Sequence, residues 1–163
     1  MPTKPISSRI AAYKKALASG EIQKTYQSLV GVVQALRTYF AKTYSDDFAV
    51  AQVLHGYIDV TYFYLQNAYL KKEKLKFAIV LNHRQVAFEL WLLGQTKDVQ
   101  IRYWEMLKDL DWVNKNAMPK YSIAEIQLLA NPDFDNIERL SGSIGDAFDA
   151  QSKEVIDTLR AYA

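Results

Sequence analysis

The chain has 163 residues, of which half are hydrophobic and 23% are charged, and this composition is ordinary for a globular domain with a sizeable core. Its 20 basic and 18 acidic residues leave a net charge of +2, which is too small to indicate nucleic-acid or membrane binding by charge alone. The sequence contains no cysteine, so disulfides, zinc–thiolate sites and cysteine nucleophiles are excluded.

The segment that begins the sequence has no apolar signal core, and no apolar run approaches the roughly 18 residues that a membrane-spanning helix needs. We therefore expect a cytoplasmic protein without a membrane segment. No composition break, internal repeat or low-complexity segment divides the chain. The expected organisation is a single globular domain over residues 1–163.

Two helices are predicted at the N-terminal end. Ser7 or Ser8 can cap the first helix, and Gly20 is placed to end it. The second helix begins at Glu21, ends near residue 45 and carries apolar residues at alternating steps of four and three. These residues form one continuous stripe for packing: Ile22, Tyr26, Leu29, Val33, Leu36 and Phe40.

The sequence then changes to strand character. Residues 48–54 fit either a short strand or the tail of a helix, and both alternatives stay open. After Gly56, residues 57–65 are rich in β-branched and aromatic side chains and predict a strand. We interpret the lysine-rich segment 67–74 as a solvated loop.

Residues 75–94 carry the strongest structural signal, because they predict two apolar strands joined by a hairpin. With a two-residue turn at His83-Arg84, one side has only apolar pairs: Leu81 with Val86, Ile79 with Phe88, Phe77 with Leu90 and Leu75 with Leu92. The other side is mixed, with Val80 opposite Ala87, Ala78 opposite Glu89 and Lys76 opposite Trp91. His-Arg is not typical of a tight primed turn, so the register stays open by one residue.

A helix near 96–109 follows, beginning at Thr96 or Asp98. Residues 121–130 fit a strand or a short helix, and we favour the strand. The segment 131–133 predicts a turn that starts the last helix. These elements predict an α+β fold with a mainly antiparallel sheet of three to five strands. The central hairpin (about 75–93) is packed by the N-terminal helices, the helix near 96–109 and the C-terminal helix.

The predicted element order resembles that of restriction-endonuclease-like folds, which is an analogy of topology only. Those nucleases hold Mg²⁺ with an acid on the second strand and an acid-x-Lys on the third, where the lysine activates water. Here tryptophan occupies the lysine position, in Glu89-Leu90-Trp91, and the second strand has no acid. A displaced set of Asp59, Lys76 and Glu89 defines the alternative function, a metal-dependent phosphodiesterase.

No established catalytic motif is present, since the sequence lacks Gly-x-Ser-x-Gly, a phosphate loop and a dinucleotide fingerprint. The two histidines have no partner at metal-ligand spacing. We interpret His83 as a solvated turn residue, whereas His55 can line a cleft with Tyr57 and Asp59. We therefore assign no catalytic residue, no metal ligand and no cofactor, and lean towards a protein that is not an enzyme.

Aromatic residues on adjacent predicted strands are the remaining functional signal. Neighbouring strand residues point to opposite faces, so some of these rings must leave the main core. An aromatic groove with a few polar groups is typical of a ligand pocket, and a large aromatic core is the competing interpretation. We place the candidate ligand site on the half-polar sheet face, at Tyr57, Asp59, Glu89, Trp91 and His55.

Five segments spread over most of the chain also carry a family resemblance. They are GYIDVTYF (56–63), KFAIVLNH (76–83), FELWLLG (88–94), RYW (102–104) and NPDF (131–134). Together they resemble a family of small bacterial proteins classed only as a domain of unknown function. The resemblance implies a stand-alone cytoplasmic protein of bacteria and supplies no catalytic residue.

The leading hypothesis is a non-enzymatic module that binds a small molecule or another protein through its aromatic sheet face. A basic loop lies beside the aromatic strands, which suggests single-stranded nucleic acid, but the small net charge argues against it. A homo-oligomer formed through exposed apolar helix faces is a third hypothesis.

Overall fold

A computed structural model describes residues 3–162 of the chain, and within them it confirms the α+β class. The described helices are α1 (Ile6–Leu17), α2 (Glu21–Thr43), α3 (Ala68–Lys72), α4 (Lys97–Leu107) and α5 (Ile137–Tyr162). The described strands are β1 (Ala49–Val50), β2 (Leu54–His55), β3 (Val60–Gln66), β4 (Leu75–Asn82), β5 (Ala87–Gly94) and β6 (Ala124–Leu129). None of the helices in this part of the chain is long and apolar enough to cross a membrane.

The structure divides into two compact units, Met1–Val32 and Val33–Ala163. The first contains α1 and the beginning of α2, and the second contains the sheet and the remaining helices. The prediction of one domain over residues 1–163 stays a prediction, and its terminal residues 1, 2 and 163 lie outside the described part.

Helix α1 begins differently from the sequence prediction. Its N-cap residue is Pro5, which makes no side-chain capping hydrogen bond. Both Ser7 and Ser8 lie inside the helix, and the Ser8 hydroxyl donates to the Pro5 carbonyl at 2.9 Å. The predicted serine cap is therefore wrong, because proline fixes the backbone at the helix start. Gly20 follows the helix with a φ of +77°, a conformation that glycine adopts without strain.

The sheet has the order β1-β3-β4-β5-β6, with every pairing antiparallel, and β2 pairs with the same edge of β3 as β1 does. Residues 48–54 thus supply parts of an interrupted edge strand, β1 and β2, which resolves the helix-or-strand alternative. Strand β3 begins at Val60 rather than at Tyr57, because residues 56–59 turn the chain. In that turn the Val60 amide donates to the Tyr57 carbonyl at 3.0 Å.

The predicted β4–β5 hairpin is present, but its turn is longer than expected. Four residues, 83–86, connect the strands instead of two. The Asn82 side-chain oxygen accepts hydrogen bonds from the backbone amides of Arg84 at 3.0 Å and Gln85 at 3.3 Å. Val86 then adopts a φ of +51°. The asparagine side chain therefore closes the turn, as such side chains do in Asx turns.

The longer turn shifts the hairpin register by two residues. Ile79 lies opposite Leu90 rather than Phe88, and Ala78 lies opposite Trp91 rather than Glu89. Since side chains alternate with a period of two, a shift of two residues leaves every side chain on its predicted face. The pairing prediction is wrong in register, but the division into an apolar and a mixed face is correct.

The apolar side of the hairpin forms the helix-packed face of the sheet, with Phe63, Phe77, Ile79, Leu90 and Leu92 all buried. Phe148 of α5 lies at the centre of the core that covers it. The Phe148 ring centroid lies 5.2 Å from that of Phe40 in α2 and 6.2 Å from that of Phe77. Edge-to-face contacts of this kind add to the free energy gained by burying the rings.

Two segments differ from their sequence predictions because asparagine side chains cap helices there. The expected loop 67–74 contains α3, whose Leu70 amide donates to the Asn67 side-chain oxygen at 2.8 Å. The last helix begins at Ile137 rather than near residue 133, and the Arg139 amide donates to the Asn136 side chain at 3.1 Å. Asparagine is a strong helix cap because its oxygen satisfies an otherwise unpaired amide.

Two other predictions are confirmed. Helix α4 begins immediately after Thr96, whose hydroxyl accepts from the Val99 amide at 3.3 Å. The favoured strand in residues 121–130 is β6, which pairs with β5.

A pair of glycine substitutions tests the packing of α4 on the sheet. A Cβ atom at Gly94 would lie 2.7 Å from the Gln100 backbone nitrogen, whereas a Cβ at Gly142 within α5 has no other atom within 4 Å. We expect Gly94→Ala to reduce the free energy of unfolding by about 1–3 kcal/mol through overpacking. The control Gly142→Ala should raise it by about 0.5–1 kcal/mol, because alanine favours the helix. Urea denaturation measures both, and a Gly94→Ala variant as stable as the natural chain would contradict the packing.

Candidate functional site

The mixed side of the hairpin belongs to the second face of the sheet, which we call the cavity face. Ala78, Val80 and Leu93 form a small buried apolar cluster on this face. Four half-buried side chains pack against that cluster: Val60, Tyr62, Tyr64 and Trp91. The cavity face therefore has an apolar floor with aromatic walls. Because the wall side chains are only half-buried, part of their surface remains open to solvent.

A cavity of about 640 Å³ lies above this floor. Its volume falls in the range of pockets that hold small organic ligands. Aromatic, apolar and charged side chains of the second compact unit all contribute to its wall. The polar and charged members of that wall are Asp59, Lys76, Asn82, Arg84 and Glu125.

Glu89 holds the Trp91 ring in place at the cavity wall. The Trp91 indole nitrogen Nε1 donates to Glu89 Oε2 at 2.7 Å, and Asn82 Nδ2 donates to Glu89 Oε1 at 3.2 Å. Only 9% of the Glu89 surface is exposed. Both carboxylate oxygens thus have protein partners, and Glu89 acts as a buried support that orients the indole.

Lys76 lies at one end of the cavity, against Tyr64. Its Nζ atom is 3.6 Å from the centroid of the Tyr64 ring, which is a cation–π contact. Burial lowers the pKa of Lys76, because a partly desolvated ammonium loses hydration. Within residues 3–162 no carboxylate forms an ion pair with Lys76. This cation is therefore compensated mainly by an aromatic face.

Tyr62 and Tyr64 stand side by side on β3, with ring centroids 5.3 Å apart. Burial raises the pKa of the Tyr64 hydroxyl to about 12, and a hydrogen bond with Tyr62 adds to the shift. The Tyr64 hydroxyl therefore stays protonated at neutral pH.

Two exposed tyrosines meet at the rim of the cavity. The ring centroids of Tyr57, from the β2–β3 turn, and Tyr121, from the segment before β6, lie 6.0 Å apart. A hydrogen bond with Tyr57 is the largest cause of the lowered pKa of Tyr121, and a hydrogen bond with Lys120 is the second. The Tyr57 hydroxyl has a raised pKa, because Tyr121 hydrogen-bonds with it. The pair joins segments that are distant in sequence.

Helix α4 fixes the segment that carries Tyr121. Gln100 Nε2 donates to the Pro119 carbonyl at 2.9 Å and to the Ser122 carbonyl at 2.8 Å. Lys97 Nζ donates to the Lys120 carbonyl at 3.3 Å. Gln100 is buried, so its amide satisfies two backbone oxygens that would otherwise be costly to bury.

Glu125 lies on β6 opposite Trp91 and contributes a carboxylate to the cavity. The residue retains exposed surface overall, yet protein atoms around the carboxyl group desolvate it and raise its pKa. The Ser122 hydroxyl donates to Glu125 Oε1 at 2.9 Å and opposes that shift, while the charge of Glu89 adds to it. Protonation of Glu125 is thus easier than for an ordinary glutamate.

The structure brings together only part of the residue set predicted from the sequence. Tyr57, Asp59 and Trp91 line the cavity, and Glu89 lies beside Trp91 on β5 and accepts its indole hydrogen bond. His55 does not line it. The register pairs His55 with Thr61, whose side chain belongs to the helix-packed face, so His55 lies on the other side of the sheet.

His83 lies in the hairpin turn, as predicted, but it is half-buried rather than solvated. Its Nε2 atom lies 2.7 Å from the Thr61 hydroxyl, and its backbone amide donates to the Asp59 carbonyl at 2.8 Å. Burial lowers the pKa of His83, and the nearby Asp59 charge opposes that shift. His83 therefore links the hairpin turn to β3 and to the turn before it.

The residues of the alternative nuclease site are spread along the sheet. Glu89 lies opposite Val80, four residues along β4 from Lys76, which separates the two backbones by about 13 Å. Among residues 3–162 no group of three histidine, aspartate or glutamate side chains is placed to hold a metal ion. The geometry therefore gives no support to the displaced set of Asp59, Lys76 and Glu89.

The ligand site predicted from the sequence omits twelve of the fifteen residues that line the cavity, although Lys76 belongs to the alternative metal site. Six of the omitted residues carry charge or an aromatic ring: Tyr62, Tyr64, Lys76, Arg84, Tyr121 and Glu125. The alternation along the two central predicted strands contained the signal for three of them, Tyr62, Tyr64 and Lys76. Arg84, Tyr121 and Glu125 had no such signal, because a turn conformation and a distant strand bring them to the cavity.

Comparison with known proteins yields one family. The sequence model of the domain of unknown function DUF7000 matches residues 6–159. No curated protein and no solved structure gives a significant match. The match agrees with the family resemblance drawn from the sequence, whereas the similarity to restriction-endonuclease-like folds finds no support among solved structures.

The coupling between Glu125 and Glu89 gives a titration test. Burial is the larger cause of the raised Glu125 pKa, and the Glu89 charge is a smaller one. We expect Glu89→Gln to lower the Glu125 pKa while leaving it above its ordinary value of 4.5. NMR titration of the side-chain carboxyl carbon measures it, and an unchanged or higher pKa would refute the coupling.

The same shift predicts how stability depends on pH. A carboxyl group whose pKa is raised in the folded state favours folding most when it is protonated. Its contribution is therefore complete below the ordinary pKa and is lost as the pH rises through the raised value. Glutamine does not titrate, so the Glu125→Gln variant does not lose this contribution. The free energy of unfolding of the variant, compared with that of the natural chain, should therefore increase between acidic and neutral pH.

Proposed function

We propose that this chain, which belongs to the DUF7000 family of domains of unknown function, binds a small organic molecule on the cavity face of its sheet. The observation that supports the proposal is the partial exposure of the aromatic walls beside an open cavity. Tyr62, Tyr64 and Trp91 are half-buried beside an open volume of about 640 Å³. A ligand that covers these rings would gain roughly 25 cal/mol for each Å² of apolar surface removed from water.

The hydrogen bonds behind the walls favour binding as well. Trp91 is oriented by the buried Glu89 carboxylate, and the segment that carries Tyr121 is held by Gln100. Such support keeps aromatic surfaces in place before a ligand arrives. Binding then requires little ordering of side chains, which lowers its entropic cost.

We propose binding without covalent chemistry. The described cavity wall contains no histidine, serine or threonine, so it offers no hydroxyl nucleophile paired with an imidazole base. Both oxygens of Glu89 are occupied by protein donors. The concave shape favours a small molecule over a flat protein surface.

A cytoplasmic location and a bacterial origin are further parts of this proposal. The ordinary composition of the chain supports the first, and the family resemblance of its five sequence segments supports the second. Neither affects the argument for the cavity.

A fragment screen read by NMR tests the proposed site. The chain has three tryptophans, Trp91, Trp104 and Trp112, and each gives its own indole N–H signal. We expect bound fragments to shift the Trp91 signal selectively, because Trp91 alone of the three lines the cavity of the second unit. Trp91→Ala should weaken binding by about tenfold or more, as loss of a central aromatic contact does.

Trp112→Ala is the matched control, since it removes a half-buried tryptophan outside the cavity wall and should leave fragment binding unchanged. If Trp91→Ala unfolds the protein, Tyr62→Leu removes one aromatic wall while keeping the position apolar. Fragments that bind all these variants equally, or that shift only the other tryptophans, would disprove the site.

A further inference from the structure

Two charged side chains of opposite sign lie on either side of the cavity floor without contacting each other. Lys76 is on β4, and Glu125 is on β6, two strands away. Glu125 lies opposite Trp91, which lies opposite Ala78, and Lys76 is two residues from Ala78. Strand spacings therefore place the two backbones about 12 Å apart across the floor. They form no ion pair with each other.

The Lys76 ammonium lacks an anionic partner. It lies against the Tyr64 ring, and within the described chain no carboxylate is paired with it. A partly desolvated cation is costly unless an anion or hydrogen-bond acceptor compensates it. A negatively charged group on a bound molecule would supply that compensation.

Glu125 has one carboxylate oxygen available. Ser122 donates to Oε1, and within residues 3–162 no protein donor reaches Oε2. A carboxylate oxygen at a cavity wall accepts hydrogen bonds from N–H or O–H groups. A donor on a bound molecule is therefore a natural partner of Oε2, because a hydrogen bond to a charged acceptor is stronger than one between neutral groups.

The floor between the two charges suits a planar ring. Ala78 and Trp91 lie opposite each other there, on β4 and β5. The alanine leaves space over its strand, while the Trp91 ring supplies an aromatic surface on which a flat molecule can stack. A branched aliphatic molecule would use this surface less well.

Arg84 is the other cation of the wall, but it belongs to the opposite end. It follows β4 in the hairpin turn, and Asn82 before it lies six residues, about 20 Å, from Lys76. Arg84 is exposed, so water already solvates its charge. It therefore gains less from an anionic ligand than Lys76 does.

Resting on the function proposed above, we infer that the ligand is an aromatic carboxylate that also carries a hydrogen-bond donor. The acid group contacts Lys76, the ring stacks on Trp91 beside Ala78, and the donor contacts Glu125. The recognised class thus includes ring acids with an N–H, amine or hydroxyl group, and it excludes neutral and purely cationic aromatics.

Calorimetric titration with four matched probes tests this class. Indole-3-acetate has both groups, indole-3-acetamide lacks the charge, 1-methylindole-3-acetate lacks the donor, and tryptamine reverses the charge. We expect indole-3-acetate to bind about tenfold or more tightly than each of the others, as loss of a charge-assisted hydrogen bond implies. The same order should hold for 4-hydroxyphenylacetate, its amide and its methyl ether.

Substitutions assign each preference to its residue. Lys76→Met should abolish the preference for the acid over the amide, and Glu125→Met should abolish the preference for the N–H over the N-methyl probe. The control Arg84→Met removes a cation from the same cavity and should retain both preferences. Circular dichroism and urea denaturation establish that each variant is folded.

The outcomes separate the ligand class from the site itself. Equal binding of acid, amide and amine, or an acid preference that survives Lys76→Met, would overturn the inference while the fragment site at Trp91 stands. If none of these probes binds but other fragments shift Trp91, the class is wrong and the site remains. If no fragment binds at Trp91 either, the inference and the proposed function both fail.

Discussion

The antiparallel pairing of β4 with β5 is the constraint on which the rest of the structure depends. Side chains alternate along both strands, so one register assigns Ile79 and Leu90 to the core and Ala78 and Trp91 to the cavity face. A slip of one residue would exchange these sets, bury Glu89 among the phenylalanines and expose the leucines. The packing of Phe148 on the helix-packed face makes that exchange costly, so stability and the cavity are fixed by the same pairing.

The two faces of the sheet divide stability and binding between them. The helix-packed face buries phenylalanine and aliphatic side chains and supplies most of the apolar burial. The cavity face can therefore hold charged groups that the core would exclude, such as the half-buried Lys76 ammonium and the partly desolvated Glu125 carboxyl. Its aromatic rings need polar support to stay oriented, and the buried Glu89 carboxylate provides it for Trp91. Features that a core would exclude are thus those that make this face suitable for a ligand.

The sequence pattern was sufficient to predict the α+β fold and the faces of Glu89 and Trp91. Side chains of a half-buried strand alternate between its two faces, so the alternation of apolar and polar residues identifies the buried face. The register was not predictable, since the Asn82 side chain closes a four-residue turn where a two-residue turn was expected. His55 was assigned to the wrong face of the sheet. It belongs to a two-residue edge strand, whose face is set by its pairing with β3. Glu125 reaches the cavity only through the pairing of β6 with β5, a long-range contact without a local signal.

The most direct test of the account is an NMR nuclear Overhauser measurement from the Ala78 methyl group. We expect contacts to the rings of Trp91 and Tyr64, which lie opposite Ala78 on the two neighbouring strands, and none to the Phe148 ring of the core. Contacts from Ala78 to Phe148 would show that the faces are exchanged. Contacts to Glu89 without Trp91 would show the shorter turn instead, and either result would contradict the register that builds the cavity.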